Sequence, residues 1–219
     1  MKEKYYAEKS IDKQARKFLD EIAYLRNWHD WSIDNKKAAL LVVDMQRYFV
    51  DESSHSCIPS APAIVKNIKS LQDKFLSLDL PVFQTRHLNT DQNAGQLLNW
   101  WGEVIREKDP LSEIIDDLHD DRAVILKKSQ YDAFLNTELE TLLKEMGIHL
   151  LVVTGVMTHL CCESTARGGF MRGFEILFTI DGTATHHEDF HRSTLINLAH
   201  GFAVPVLVSE ILSALDSAK

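Results

Sequence analysis

The chain has 219 residues, 45% of them hydrophobic and 26% charged, which suits one globular domain, or two small ones, with a core that needs no disulfide or structural metal. It carries 24 Lys+Arg against 32 Asp+Glu, and a formal charge of −8 repels phosphate backbones and anionic lipids, so no nucleic-acid or membrane partner is expected. The three cysteines, two of them adjacent, are not a secreted disulfide framework; MKEKYYAEKS lacks an apolar leader and no apolar run reaches membrane-span length, so a cytoplasmic protein is expected.

Residues 1–37 read as an N-terminal helical extension. Ile11, Ala15, Phe18, Leu19, Ile22 and Leu25 recur at three- and four-residue spacings. That stripe must cover either the main domain or a partner subunit, and on this ground a homo-oligomer is expected. Residues 38–219 alternate short apolar runs with amphipathic stretches. The runs are Ala38–Val43, Pro81–Thr85, Ala123–Leu126, His149–Thr154, Phe174–Ile180 and Ala203–Val208. Between them, Ala63–Leu78, Thr137–Met146, Leu160–Arg172 and Glu188–His200 have helical periodicity. Runs apolar on both faces and alternating with helices predict an α/β domain of three layers (αβα), a six-stranded parallel sheet of Rossmann-like type. Asn89–Asp109, with Trp100, Trp101 and Gly102, is the longest stretch without regular patterning.

Ligands of such sheets bind at the carboxyl ends of the strands. AALLVVDMQ puts Asp44 at the first strand's exit, with Gln46 and Tyr48 following. AVILKKSQY puts Lys127 and Lys128 at the third, and LLVVTGVMTHLCC puts Thr158, His159, Cys161 and Cys162 after the fourth. An acid, a lysine and a thiol at one sheet edge can form a nucleophilic triad. Cys161 at a helix start, near Lys128, is expected to be stabilised as thiolate, with Asp44 as proton acceptor and turn amides as an oxyanion hole. Each residue also has a plainer reading: a turn aspartate, a solvated lysine pair, a packed cysteine.

AALLVVDMQRYFV, then LKKSQYDAFLNTELETLLKEMGIHLLVVTGVMTHLCCESTARGGFMRGFEI, then DGTATHHEDFH, in order between about Ala38 and Leu212, resemble the isochorismatase-like hydrolase family. The resemblance implies a six-stranded parallel sheet, Asp44 as acid/base, Lys128 as positioned cation and Cys161 as nucleophile of the cysteine-hydrolase branch. It also implies a cis Val156–Met157 peptide that turns the Met157 and Cys161 amides toward the substrate oxygen. W-S-I-D (Trp31 to Asp34), Trp101-Gly102, K-x-x-Y-x-A-F (Lys128 to Phe134, containing Tyr131) and G-V-x-x-H (Gly155 to His159) resemble the true isochorismatases, in which the Cys161 position is usually glycine. A cysteine there looks like the amidase branch.

That branch's nicotinamidase metal motif has no match in QTRHLNTDQNAG, which offers Arg86 and His87 only, so no zinc and no cofactor are expected. His186, His187 and His191 read as a helix start capped by Thr185 with Glu188 completing the box. The expected substrate contacts are Gln46, Arg86, Trp101, Tyr131 and His159. The function expected is cofactor-independent hydrolysis of an amide or carbamoyl C–N bond in a small molecule through a thioester. The alternatives are vinyl-ether hydrolysis with Asp44 as general acid, and a non-catalytic small-molecule-binding relative.

Overall fold

The computed structural model describes residues 2–26, 29–33 and 37–217, so Asp34 of the W-S-I-D motif and part of the N-terminal extension lie outside the described residues. Helix α1 (Ile11–Arg26) buries Ile11, Ala15, Phe18, Ile22 and Leu25, one face of a 3.6-residue period. The stripe covers the chain's own domain, against β5 (Glu175–Ala184), β6 (Val204–Val206) and the late helix α7 (Glu188–Gly201). The surface from which self-association was expected is therefore occupied within the chain.

Six parallel strands form one sheet: β1 (Ala38–Val43), β2 (Val82–His87), β3 (Val124–Lys128), β4 (Leu150–Val156), β5 (Glu175–Ala184) and β6 (Val204–Val206). Their order is β3-β2-β1-β4-β5-β6. Every residue of β1 and β4 is buried, as a central strand covered on both faces requires. Edge strand β3 alternates instead: Ile125 and Lys127 are exposed, Leu126 and Lys128 buried. This pleat decides between the two lysines. Lys127 turns out to Glu107, and Lys128 turns in.

Eight helices occur among the described residues. Besides α1 they are α2 (Arg47–Val50), α3 (Ala61–Ser77), α4 (Gln96–Trp101), α5 (Leu139–Glu145), α6 (Glu163–Met171), α7 (Glu188–Gly201) and α8 (Val208–Ser217). Helix α3 packs across β1, β4 and β5, and α6 packs on β5. Three details differ from the sequence reading. The helix expected from Leu160 begins at Thr158, with a π-helical turn over Thr158–Cys162. Helix α4 lies inside the stretch without clear periodicity. Helix α7 is capped by His187, whose ring accepts from Asp189 N at 3.2 Å, and not by Thr185, whose hydroxyl bonds His159. No described helix is long and apolar enough to cross a membrane.

Candidate active site

The strand order reverses direction between β1 and β4, and a crevice opens there at the carboxyl ends. Register brings the reactive groups to one level. Val43 pairs with Gly155, and His87 pairs with Lys128, so the exits of four adjacent strands share an edge. Gly155 is required by this closeness: a Cβ there would lie 2.0 Å from the Val43 carbonyl oxygen, at φ +108°. After it the chain makes a cis peptide between Val156 and Met157 and enters the turn that carries Cys161.

Asp44 follows β1 in the left-handed region, φ 50°, which short polar side chains tolerate. Its amide donates to Thr85 Oγ1 at 3.0 Å, and Thr85 Oγ1 donates back to Oδ1 at 2.6 Å. Oδ2 sits 2.8 Å from Lys128 Nζ, and the carboxylate lies beside the Cys161 thiol. Asp44 and Lys128 are both buried side chains. Lys128 Nζ also donates to Gln130 O at 2.9 Å and lies 3.2 Å from His87 Nδ1. Burial opposes the lysine's charge, yet Asp44 and Cys161 outweigh it and hold the ammonium above its ordinary pKa. Burial pushes the Cys161 thiol up to about 12; Lys128 opposes the rise and Asp44 adds to it. Burial thus works against the resting thiolate expected from the helix start. Cys162 is packed, with its thiol toward Thr154 O at 3.8 Å.

A cavity of about 200 Å³ opens over Cys161. Its walls include Met157, Tyr131, Trp101, Phe49, Leu97 and Ile105, a largely apolar and aromatic set. Trp101 Nε1 donates to Tyr131 OH at 2.8 Å, joining two of the expected contacts. The other three are not in the wall. Gln46 is buried and spent on backbone: its Nε2 donates to Ser112 O at 2.7 Å, and its Oε1 accepts from His87 N at 2.8 Å. Arg86 turns to the 110–113 segment, bonding Ser112 Oγ at 2.9 Å and Glu113 at 2.8 Å. His159 bonds Thr185 Oγ1 at 2.6 Å and stacks on Phe190, with burial lowering its pKa to about 4.

Several wall residues were not among the expected substrate contacts. Lys2 and His186 reach the cavity, as does the Tyr48–Glu103–His55 group, in which His55 Nε2 lies 2.8 Å from Glu103. They come from segments far apart in the chain. His87 was named from the sequence, and Asn89 could have been found with it, since residues two apart at a strand exit share a face. Burial, and then Lys128, lower the His87 pKa to about 4, so its ring is neutral. The three clustered histidines disperse: His186 into the cavity wall, His187 to the helix cap, His191 among Tyr5, Tyr6 and Thr158. Among the described residues, one group has metal-ligand spacing, Asp44, His87 and Cys161, whose donor atoms lie within 4.8 Å of one another.

A family model described as the Isochorismatase domain matches residues 38–210. Nicotinamidase 3 of Arabidopsis thaliana is 38% identical over 175 residues, covering 78% of this chain and 84% of its own. Enterobactin synthase component B of Escherichia coli K12 is 32% identical over 192 residues, covering 86% and 67%. Among solved structures, a cysteine hydrolase from Pseudomonas syringae pv. phaseolicola 1448A superposes with TM-score 0.83 at 26% identity, covering 87% of this chain and 97% of that one. The fold is a three-layer α/β sheet with its candidate site at the strand exits. The chain belongs to the isochorismatase family and is a hydrolase.

Proposed function

We propose that the protein is a cysteine hydrolase that cleaves the C–N bond of a small planar amide or carbamoyl compound. The observation that carries this is the Cys161 thiol, buried beside the Asp44 carboxylate, with Lys128 Nζ 2.8 Å from that carboxylate. A bystander cysteine needs neither neighbour. The cavity of about 200 Å³, walled by Phe49, Trp101 and Tyr131, supports a substrate with one flat ring or its equivalent in size.

The chemistry follows from the raised thiol. Asp44 Oδ2 accepts the Cys161 proton as the sulfur attacks the carbonyl carbon. Oxygen takes up the negative charge and is met by the Met157 and Cys161 amides. The C–N bond breaks, and Asp44 returns the proton to the departing amine. Water then gives a proton to Asp44 and attacks the thioester, releasing the acid and the thiol. Lys128, with Nζ 2.8 Å from the Asp44 carboxylate, balances the charge that passes between Asp44 and the substrate oxygen. Similarity to Nicotinamidase 3 supports amide cleavage.

The similarity to Enterobactin synthase component B, and to an Isochorismatase of Bacillus subtilis (30% identical), favours a second reading, vinyl-ether hydrolysis with Asp44 as the acid. One assay separates them. Ammonia release from nicotinamide, pyrazinamide and ureido compounds, abolished in Cys161→Ala and Cys161→Ser, supports the thioester route. Pyruvate release from isochorismate that survives Cys161→Ser, with no amide turned over, supports the other.

A further inference from the structure

We propose that Lys128 fills a ready-made divalent-metal nest: its ammonium stands where a zinc-class ion would bind Asp44, His87 and Cys161. The three donor atoms lie within 4.8 Å of one another, all three residues are buried, and the set is one carboxylate, one imidazole and one thiol. That donor set suits a borderline-soft ion with a fourth position left open. His87 and Cys161 also line the cavity, which gives an ion a way in.

The histidine is already arranged as a ligand. An ammonium can only donate, so His87 Nδ1, 3.2 Å from Lys128 Nζ, presents its lone pair inward. Nε2 then carries the proton and donates to Asn89 Oδ1 at 3.0 Å. The Asn89 amide is oriented by its own Nδ2, which donates to Ser129 O at 2.8 Å. The His87 backbone is held by Gln46 through N–H to Oε1 at 2.8 Å and Nε2 to O at 3.2 Å. An imidazole with its outer N–H fixed by an oxygen and its inner lone pair aimed at a cation is the usual outer support of a metal-binding histidine. Here the cation is the lysine's. Ammonium and metal therefore exclude each other, and His87 and Asn89 are positioning residues for whichever cation is present.

Removing the lysine side chain should open the nest. Cadmium is the probe, because a thiolate–cadmium band in the ultraviolet reports sulfur ligation directly. Lys128→Ala is expected to bind one Cd²⁺ with that band, about 10–100-fold more tightly than the wild type. Adding Cys161→Ser should abolish the band, and adding His87→Leu should weaken binding by about 10–100-fold. Equal Cd²⁺ affinity in Lys128→Ala and wild type would overturn the proposal, as would a band that survives Cys161→Ser. Lys128→Ser is the second variant. If neither folds alone, recovery of near-ultraviolet dichroism on refolding with Cd²⁺, but not without it, supports the nest; no recovery contradicts it. None of these measurements uses turnover, so they stand or fall apart from the proposed hydrolysis.

Discussion

Asp44 holds its two carboxylate oxygens in different company, and the difference assigns their work. Oδ1 is fixed by the Thr85 hydroxyl at 2.6 Å, while Oδ2 lies 2.8 Å from Lys128 Nζ, with the Cys161 thiol beside the carboxylate. Asp44→Asn keeps the Thr85 bond and removes the base, so amide turnover should fall by about 10²–10⁴-fold. It also leaves Lys128 as a buried charge without its partner, at a cost of about 3–5 kcal/mol in stability. Steady-state rates and urea unfolding of the variant read both effects. Asp44, Lys128 and Cys161 were legible because each stands at the end of an apolar run. The protonation state of the thiol was not. Helix position and a nearby lysine argue for thiolate, burial pushes the other way, and burial is a property of the assembled fold. Gln46 and Arg86 sit near the right strand ends, yet both are consumed by the 110–113 segment, a partner no spacing rule identifies.

At the scale of elements, β1 and β4 set the site by lying close together. Gly155→Ala should cost at least ~2 kcal/mol, because a methyl group 2.0 Å from a backbone oxygen forces the two strands apart at the edge that carries the candidate site. Its unfolding midpoint and its amide turnover should fall together. Phe18 of α1 is fully buried against Tyr5, Tyr6 and His191, so Phe18→Ala should lose about 3–5 kcal/mol, measured by the same unfolding. Strands apolar on both faces and helices with strong periodicity were readable from sequence. The six-residue α4 was not, since one turn and a half gives no usable period. It separates the tryptophans it carries: Trp100 is 77% exposed, while Trp101 reaches the cavity and bonds Tyr131.

At the scale of the molecule, the N-terminal segment packs beside the candidate site, and Lys2 lines its cavity. Glu3 N donates to His186 O at 2.8 Å, and Tyr5 OH accepts from Thr185 N at 2.9 Å. Behind them His191 lies 3.2 Å from Tyr5 OH and 3.1 Å from Thr158 Oγ1, at the start of the turn that carries Cys161. Burial lowers the His191 pKa to about 3, while the unfolded chain takes up a proton near pH 6.5. A depressed histidine makes stability full above about pH 6.5 and erodes it as the pH falls toward about 3. Between pH 6.5 and 5 this one group should remove about 2 kcal/mol. His191→Gln should be less stable than the wild type at pH 7.5 and show a shallower decline on acidification, measured by urea unfolding at both pH values. The sequence showed α1's stripe but not its destination, because a stripe records only that something covers it.

Whether Cys161 forms the covalent intermediate is read most directly by acid-quenched peptide mass spectrometry during turnover of the amide the ammonia assay identifies. The acyl group is expected on the peptide containing Cys161 in the wild type, with neither adduct nor turnover in Cys161→Ala. Turnover retained in Cys161→Ala, or acylation found elsewhere on the chain, would contradict it.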